Sequence, residues 1–169
     1  MWQIVKAKTD DIEAIMDIFK QSTRLLLKAN IDQWDWTYPT KAIFHRDIKA
    51  GNVFVIKEEK KVLATITLNT QQDEQYYGIK WKHQTENVLV MHRLAVSPDA
   101  QGKGLGKKLC DFTESHGAEN GFEVIRLDAY SGNSISCMLY EKLNYHRAEG
   151  YCWFHGNKLP FYCYEKKLV

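Results

Sequence analysis

Residues 101–106 read Gln-Gly-Lys-Gly-Leu-Gly, with three glycines at alternate positions directly before a segment of helical periodicity and lysines at 103, 107 and 108. A helix N-terminus presents unpaired N–H groups and about half a positive charge, which suits phosphate. Glycine removes the Cβ that would hold an anion off that backbone, and it admits positive φ. Gln101, Gly102, Lys103, Gly104, Leu105, Gly106 and Lys107 therefore form a candidate pyrophosphate cradle. A turn that merely joins a strand to a helix has the same composition, so spacing alone leaves both readings standing. The common nucleotide signatures do not fit. A P-loop needs glycine where Gln101 stands and a hydroxyl where Lys108 stands, and a dinucleotide fingerprint counted from Gly102 or Gly104 ends on Lys107 or Leu109.

The elements around this loop follow from periodicity. Thr9 or Asp10 can cap a helix carrying Ile12, Ile15, Met16 and Phe19 on one face, with Glu13 completing a capping box. Thr40 caps a second helix that Gly51 stops. From Asn52 the period drops to two, predicting a hairpin turned by charged residues 58–61. Residues 88–96 are apolar on both faces, as a central covered strand requires. A helix from Leu105, a strand within 123–130, a helix capped by Asn133 and two closing strands complete the order β-α-α-β-β-β-α-β-α-β-β. This predicts an α/β mixed sheet with helices on both faces, in a single domain of residues 1–169.

Composition narrows the classes. Apolar residues make up 44% and charged residues 26%, ordinary for a globular chain, and the net charge of +2 argues against a nucleic-acid binder. No apolar run approaches the roughly 18 residues of a membrane span, and the first residues lack a signal-peptide core, so a cytoplasmic protein without membrane contact is expected. Cys110, Cys137, Cys152 and Cys163 form no C-x-x-C pair and read as reduced packing thiols. Cys152, His155, Cys163 and His146 match no common zinc spacing, so no metal is expected.

The loop resembles the Q/R-x-x-G-x-G/A motif of the GNAT superfamily of acyl-CoA-dependent N-acyltransferases, and the preceding "RLAVSPDA" is similar to that family's strand before the loop. Asn133, Leu139 and Tyr140 in "NSISCMLYEKLNY" resemble its N-x-x-A-x-x-L-Y-x-x-x-G-F helix. The element order fits throughout, while the sequence-specific part lies within residues 93–145. Two departures occur. Cys137 and Met138 lie in the small-residue region of that helix, and Asn144-Tyr145 replaces Gly-Phe, a change that Asn's tolerance of the left-handed region accommodates.

The resemblance implies a GNAT-like sheet splayed between its two parallel middle strands, with acetyl-CoA in the crevice at their carboxyl ends. It implies that the main chain of Leu94, Ala95 and Val96 pairs with pantetheine amides, and that an N–H near Leu94 polarises the thioester carbonyl. Asn133 falls among the cofactor-binding positions. Tyr140 falls where a phenol can protonate the departing thiolate, so its loss slows turnover without abolishing it.

Direct attack by an amine requires that a proton leave first, because a lysine-like amine titrates near about 10.4. His92 alternates with Val88, Val90, Leu94 and Val96 and is a candidate base, although a hydrogen-bonded structural histidine fits the same position. Glu86, Glu123 and Asp128 are carboxylate alternatives whose facing the sequence leaves open. Trp34, Trp36 and Tyr38, beside Asp32 and Asp35, offer aromatic faces and carboxylates to an amine, or anchor their loop to the core. The polar residues 69–87 form a loop beside the site or a solvent-facing stretch. The expected acceptor is a primary amine of a small molecule or amino-acid derivative. A protein or peptide amine, a non-catalytic acyl-CoA sensor and a structural dimerisation domain are the alternatives, and the final strand could pair across a homodimer.

Overall fold

The computed structural model describes residues 1–154 and 156–169. His155, one member of the zinc set weighed above, lies outside the described residues. The strands are β1 (Trp2–Lys6), β2 (Val53–Glu58), β3 (Lys61–Asn69), β4 (Val88–Val96), β5 (Val124–Tyr130), β6 (His146–Cys152) and β7 (Phe161–Lys167). The helices are α1 (Ile12–Lys28), α2 (Lys41–Lys49), α3 (Leu105–Glu119) and α4 (Ser134–Lys142). The element order is the one periodicity predicts. The strands form one mixed sheet in the order β1-β2-β3-β4-β5-β7-β6. Its parallel pair is β4 with β5, and this ladder joins only Val88, Val90 and the residue between them to Val124, Arg126 and theirs, although the strands run on to Val96 and Tyr130. That early end is the splay expected of the middle pair.

Residue contacts divide the chain into two compact units, Met1–Leu68 with Arg93–Leu109, and Asn69–His92 with Cys110–Val169. In the first unit, α1 lays Ile12, Ile15, Ile18 and Phe19 against Phe44, Val53, Val55, Val62 and Ala95, all buried. The start of α1 differs from expectation. A 3-10 turn at Thr9–Asp11 precedes it, and the acid that reaches back is Asp11, whose Oδ2 accepts the Lys8 N–H at 2.8 Å while Oδ1 pairs with Lys57 at 2.6 Å. Glu13 pairs with Lys41 instead. The acid that closes the cap thus sits three residues after Lys8, two positions earlier than the Asp10 and Glu13 pair, and Asp11 satisfies the Lys8 N–H and the Lys57 ammonium together. Thr40 caps α2 as predicted, accepting the Ile43 N–H at 3.3 Å, and Gly51 stops it at φ +75°.

In the second unit, β7 pairs along the whole of β5 on one side and with β6 on the other. The last strand is therefore interior to the sheet, which corrects its expected availability for pairing across a dimer. The four cysteines are free and buried, and the Cys152 and Cys163 sulfurs lie 3.4 Å apart. Among the described residues no helix is long and apolar enough to cross a membrane, and no group of three or more His, Cys, Asp or Glu is arranged to hold a metal ion.

Candidate active site

The glycine loop is built from beneath. The Ser97 N–H bonds to the Leu63 carbonyl at 2.8 Å, a 3-10 turn at Pro98–Ala100 buries Ala100, and the chain then rises through exposed residues 101–104 into α3. Leu105 and Leu109 are buried at 1% and 0% exposure and fix the first turn of α3, whose opening bond runs from the Lys108 N–H to the Gly104 carbonyl at 3.0 Å. Gly102 and Gly104 sit at φ +77° and +78°, where a side chain is strained. A Cβ at either would meet no heavy atom within 4 Å, so these glycines serve backbone shape and leave open space above the loop. The first N–H groups of a helix lack intrahelical partners, and Lys103 and Lys107 are exposed beside them. This arrangement can bind a diphosphate.

One residue before Leu94, Arg93 adopts φ +51° in the middle of β4. A non-glycine residue there is uncommon and interrupts the pleat, so the shared face expected for His92, Leu94 and Val96 does not follow from alternation. The Arg93 side chain accounts for the distortion. Its guanidinium pairs with the buried Asp47 of α2, donates to the Tyr38 hydroxyl at 3.1 Å and lies 5.8 Å from the Phe44 ring. The strained position is held by a buried ion pair, which sequence reasoning missed because arginine carries no turn signal. Ala95 packs in the core of the same unit, while Leu94 and Val96 are half-buried.

The three candidate acceptor-binding aromatics separate. Trp34 packs edge-on against Phe19 with centroids 4.8 Å apart, an anchoring contact. Trp36 is 62% exposed, and Tyr38 is partly exposed with its hydroxyl on Arg93. Asp35 Oδ1 accepts from Thr37 N, Thr37 Oγ1 and Tyr38 N at 2.7, 2.6 and 3.0 Å, and these bonds, led by the Thr37 hydroxyl, hold its carboxyl below the usual range. Its carboxylate is engaged in its own turn.

The second unit holds the titratable candidates. Asn133 caps α4, accepting the Ser136 N–H at 3.2 Å, and Asn144 takes the left-handed φ of +64° that its place after the helix requires. Tyr140, on α4, is 7% exposed, with ring centroids 5.8 Å from both Tyr145 and Tyr164. Burial above all, with the nearby Cys110 and Asp128 next, pushes its phenol well above the ordinary range, so it stays protonated at any working pH. Among the described residues its hydroxyl takes no hydrogen-bond partner. His92 is half-buried with Nε2 2.7 Å from the Asn69 side-chain oxygen, an acceptor that draws the ring proton to Nε2.

Asp128 is better placed than the sequence allowed. It lies on β5 two residues past the end of the parallel ladder, and its Oδ2 accepts the Tyr76 hydroxyl at 2.6 Å. Burial raises its carboxyl to about 6, with the Tyr76 bond pulling it down and Asp73 adding a smaller push up. Glu123 accepts from the Thr85 hydroxyl and is exposed, and Glu86 is exposed as well. Directly opposite residues of an antiparallel pair share a face. Leu127 faces Tyr164, and Asp128 faces Cys163, so Asp128 points to the sheet face opposite the one on which Tyr164 meets Tyr140. A protonated phenol and a carboxylate thus flank β5.

The family model described as the Acetyltransferase (GNAT) family matches residues 12–145. An uncharacterized N-acetyltransferase, YesJ of Bacillus subtilis (strain 168), is 26% identical over 164 residues, covering 95% of this chain and 87% of the relative. A GNAT-family acetyltransferase from Streptococcus agalactiae 2603 superposes with a TM-score of 0.82 at 26% identity, covering 98% of this chain and 95% of that one. The PaiA N-acetyltransferase from Thermoplasma acidophilum, solved in complex with coenzyme A, shares the fold with a TM-score of 0.73 at 16% identity, covering 99% of both chains.

Proposed function

Because the chain belongs to the GNAT acetyltransferase family, we propose that it moves an acetyl group from acetyl-CoA to a primary amine of a small molecule or amino-acid derivative by direct attack. The observation that carries the reading is the open loop of residues 101–106, whose two positive-φ glycines leave room for a diphosphate at the entrance of α3. We take residues 1–169 as one catalytic domain, since the chain passes between the two units at 68/69, 92/93 and 109/110 and each unit is built from two separate stretches.

Acetyl-CoA supplies an activated thioester. The chain's own groups do the rest. Gln101, Gly102, Lys103, Gly104, Leu105, Gly106 and Lys107 hold the diphosphate through main-chain N–H groups and lysine charge. The main chain of Leu94, Ala95 and Val96 pairs with the pantetheine amides, and Asn133 contributes to the same subsite. Trp36 and Tyr38 receive the acceptor, supported by the exposure of the first and the fixed hydroxyl of the second. Tyr140, kept protonated, donates to the sulfur as the C–S bond breaks.

For the proton on nitrogen we favour Asp128 over His92. A nitrogen bonded to the carbonyl carbon is far more acidic than a free ammonium, so a carboxylate with a pKa near 6 can take its proton at neutral pH. The ammonium form first gives one proton to solvent; from the free amine, the new bond is N–C, the broken bond is C–S, and one proton passes from nitrogen to sulfur by way of Asp128 and Tyr140. Placement of donor and acceptor on opposite faces of β5 supports attack from one side and departure on the other.

Thiol release from acetyl-CoA across an amine library tests the reading. Turnover with small primary amines is expected. Turnover only with peptide N-termini or lysines would move the acceptor class, and coenzyme A binding by calorimetry without turnover on any amine would make the protein a sensor.

A further inference from the structure

Residues 70–87 link β3 to β4 and are polar enough to pass for a solvent loop, yet they are fastened along one face of the second unit. The buried Arg126 donates from Nη1 to Gln72 Oε1 at 2.8 Å and from Nη2 to the His83 carbonyl at 2.7 Å, and its guanidinium lies 4.3 Å from the Trp81 ring. Its cross-strand neighbour Glu165, 1% exposed, accepts the Lys82 and His83 N–H groups at 2.7 and 2.9 Å. Gln75 exchanges two bonds with the Trp153 main chain, at 2.9 and 2.6 Å. Two buried charges directed at main-chain groups make this segment a strap of fixed shape.

The strap carries a short 3-10 turn, Glu74–Gly78, that delivers Tyr76 to the sheet at 2% exposure. Its ring meets Trp81 edge-on at 5.3 Å, and its carbonyl accepts the Trp81 indole N–H at 2.8 Å. The phenol therefore has one orientation, and in it the hydroxyl meets Asp128 Oδ2 at 2.6 Å. Among the described residues the other carboxylate oxygen, Oδ1, takes no partner, and Asp128 keeps part of its surface exposed. A carboxylate with one oxygen clamped by a buried donor and the other open is a fixed proton acceptor.

We propose that Tyr76 is a positioning residue for acetyl transfer, holding Asp128 through Oδ2 so that Oδ1 faces the acceptor amine, and that the strap of residues 70–87 exists to set this contact. The proposal rests on the reading of Asp128 as the base. The charged and titratable groups around Asp128 are Asp73 and Tyr76 on the strap, Cys163 opposite it on β7, Cys152 beside Cys163 on β6 and Tyr140 on α4. Both Tyr76 and Tyr140 are held protonated by burial, and the Cys163 thiol is pushed far up by its bond with Cys152 and by burial, which leaves Asp73 as the charge that acts on Asp128, beside the buried Arg126 and Glu165 one step along the same face. The Tyr76 bond favours the ionised form of Asp128, opposing burial.

The test is the pH profile of kcat/KM for thiol release, expressed per unprotonated amine so that the acceptor's own titration cancels, from pH 5 to 9, in wild type, Tyr76→Phe and Asp128→Asn, with any amine the wild type acetylates. Wild type should show an acid limb near pH 6. Tyr76→Phe should move that limb up by about one unit while the plateau above it stays within about threefold, since a charge-assisted bond to the ionised form is lost. Asp128→Asn should remove the limb and lower the plateau at least a hundredfold. If Asp128→Asn behaves as expected but Tyr76→Phe leaves the limb unmoved, the positioning role is wrong and the base stands. If Asp128→Asn keeps both limb and rate, the base reading itself fails. Incorporation of 3-fluorotyrosine at residue 76 covers a Tyr76→Phe protein that does not fold. The more acidic phenol is a stronger donor and should move the limb down, and an unmoved limb there overturns the proposal equally.

Discussion

Asp128→Asn should make the protein more stable while disabling it. Burial holds the Asp128 carboxyl at about 6, against 3.8 for the free side chain. The sign follows from linkage. Below pH 3.8 the group is protonated in folded and unfolded chains alike and contributes nothing. As pH rises, the unfolded chain ionises first, so folding loses free energy progressively until the folded group also ionises near pH 6, and the loss is complete above that. About two units at 1.36 kcal/mol each amount to about 3 kcal/mol at pH 8. Asparagine carries no charge, and its Oδ1 still accepts the Tyr76 hydroxyl. Asp128→Asn should therefore gain about 2–3 kcal/mol at pH 8, shrinking toward zero near pH 4. In urea this reads as a midpoint about 1–2 M higher at pH 8, with the slope unchanged. A gain that is the same at pH 4.5 and pH 8, or a lower midpoint at pH 8, would show that Asp128 is not a half-buried carboxylate held against its desolvation, and the functional reading would lose its physical basis. A destabilising ionised group kept in the fold is the pattern expected of a site where activity is retained at the expense of stability.

Three further outcomes are expected. Tyr140→Phe should lower kcat about 10- to 100-fold without abolishing it, because a thiol of pKa about 8.5 leaves moderately well unaided, and full rate at every pH would remove its role as acid. Gly104→Ala forces a side chain to φ +78° in open space, so calorimetry should show coenzyme A binding about tenfold weaker, with a strain cost of about 1–2 kcal/mol in the melting curve, and unchanged affinity would move the diphosphate off this loop. Asp47→Asn leaves the guanidinium of Arg93 without its carboxylate in a buried position and should cost about 3 kcal/mol in urea unfolding, whereas a loss under about 0.5 kcal/mol would show that Arg93 does not need the pair to hold its positive φ.

The legible parts of this chain are those whose signal is local. The glycine loop, the Thr40 and Asn133 caps and the alternation of the hairpin depend on residues within a few positions of one another. The start of α1 is not legible locally because Thr9, Asp10 and Asp11 are all competent caps, and it is Asp11 that pairs with Lys57 of β2, forty-six positions on. Arg93 stayed hidden because its left-handed backbone is held by Asp47, forty-six positions earlier, and not by any propensity of its own. Asp128 and Tyr76 are fifty-two positions apart and are joined by a strap whose fastenings run to Arg126, Glu165 and Trp153, so its polar composition mimics a free loop. The interior place of β7 was out of reach for the same reason, since insertion between two earlier strands leaves no mark in the strand itself.

That insertion governs when the second unit can be completed during synthesis. β5 and β6 leave the ribosome before residues 161–167, and each has one edge that only those residues satisfy. Until they emerge, the nascent chain carries two open hydrogen-bonding rims, so the growing polypeptide passes through an interval in which intermolecular strand capture competes with correct closure.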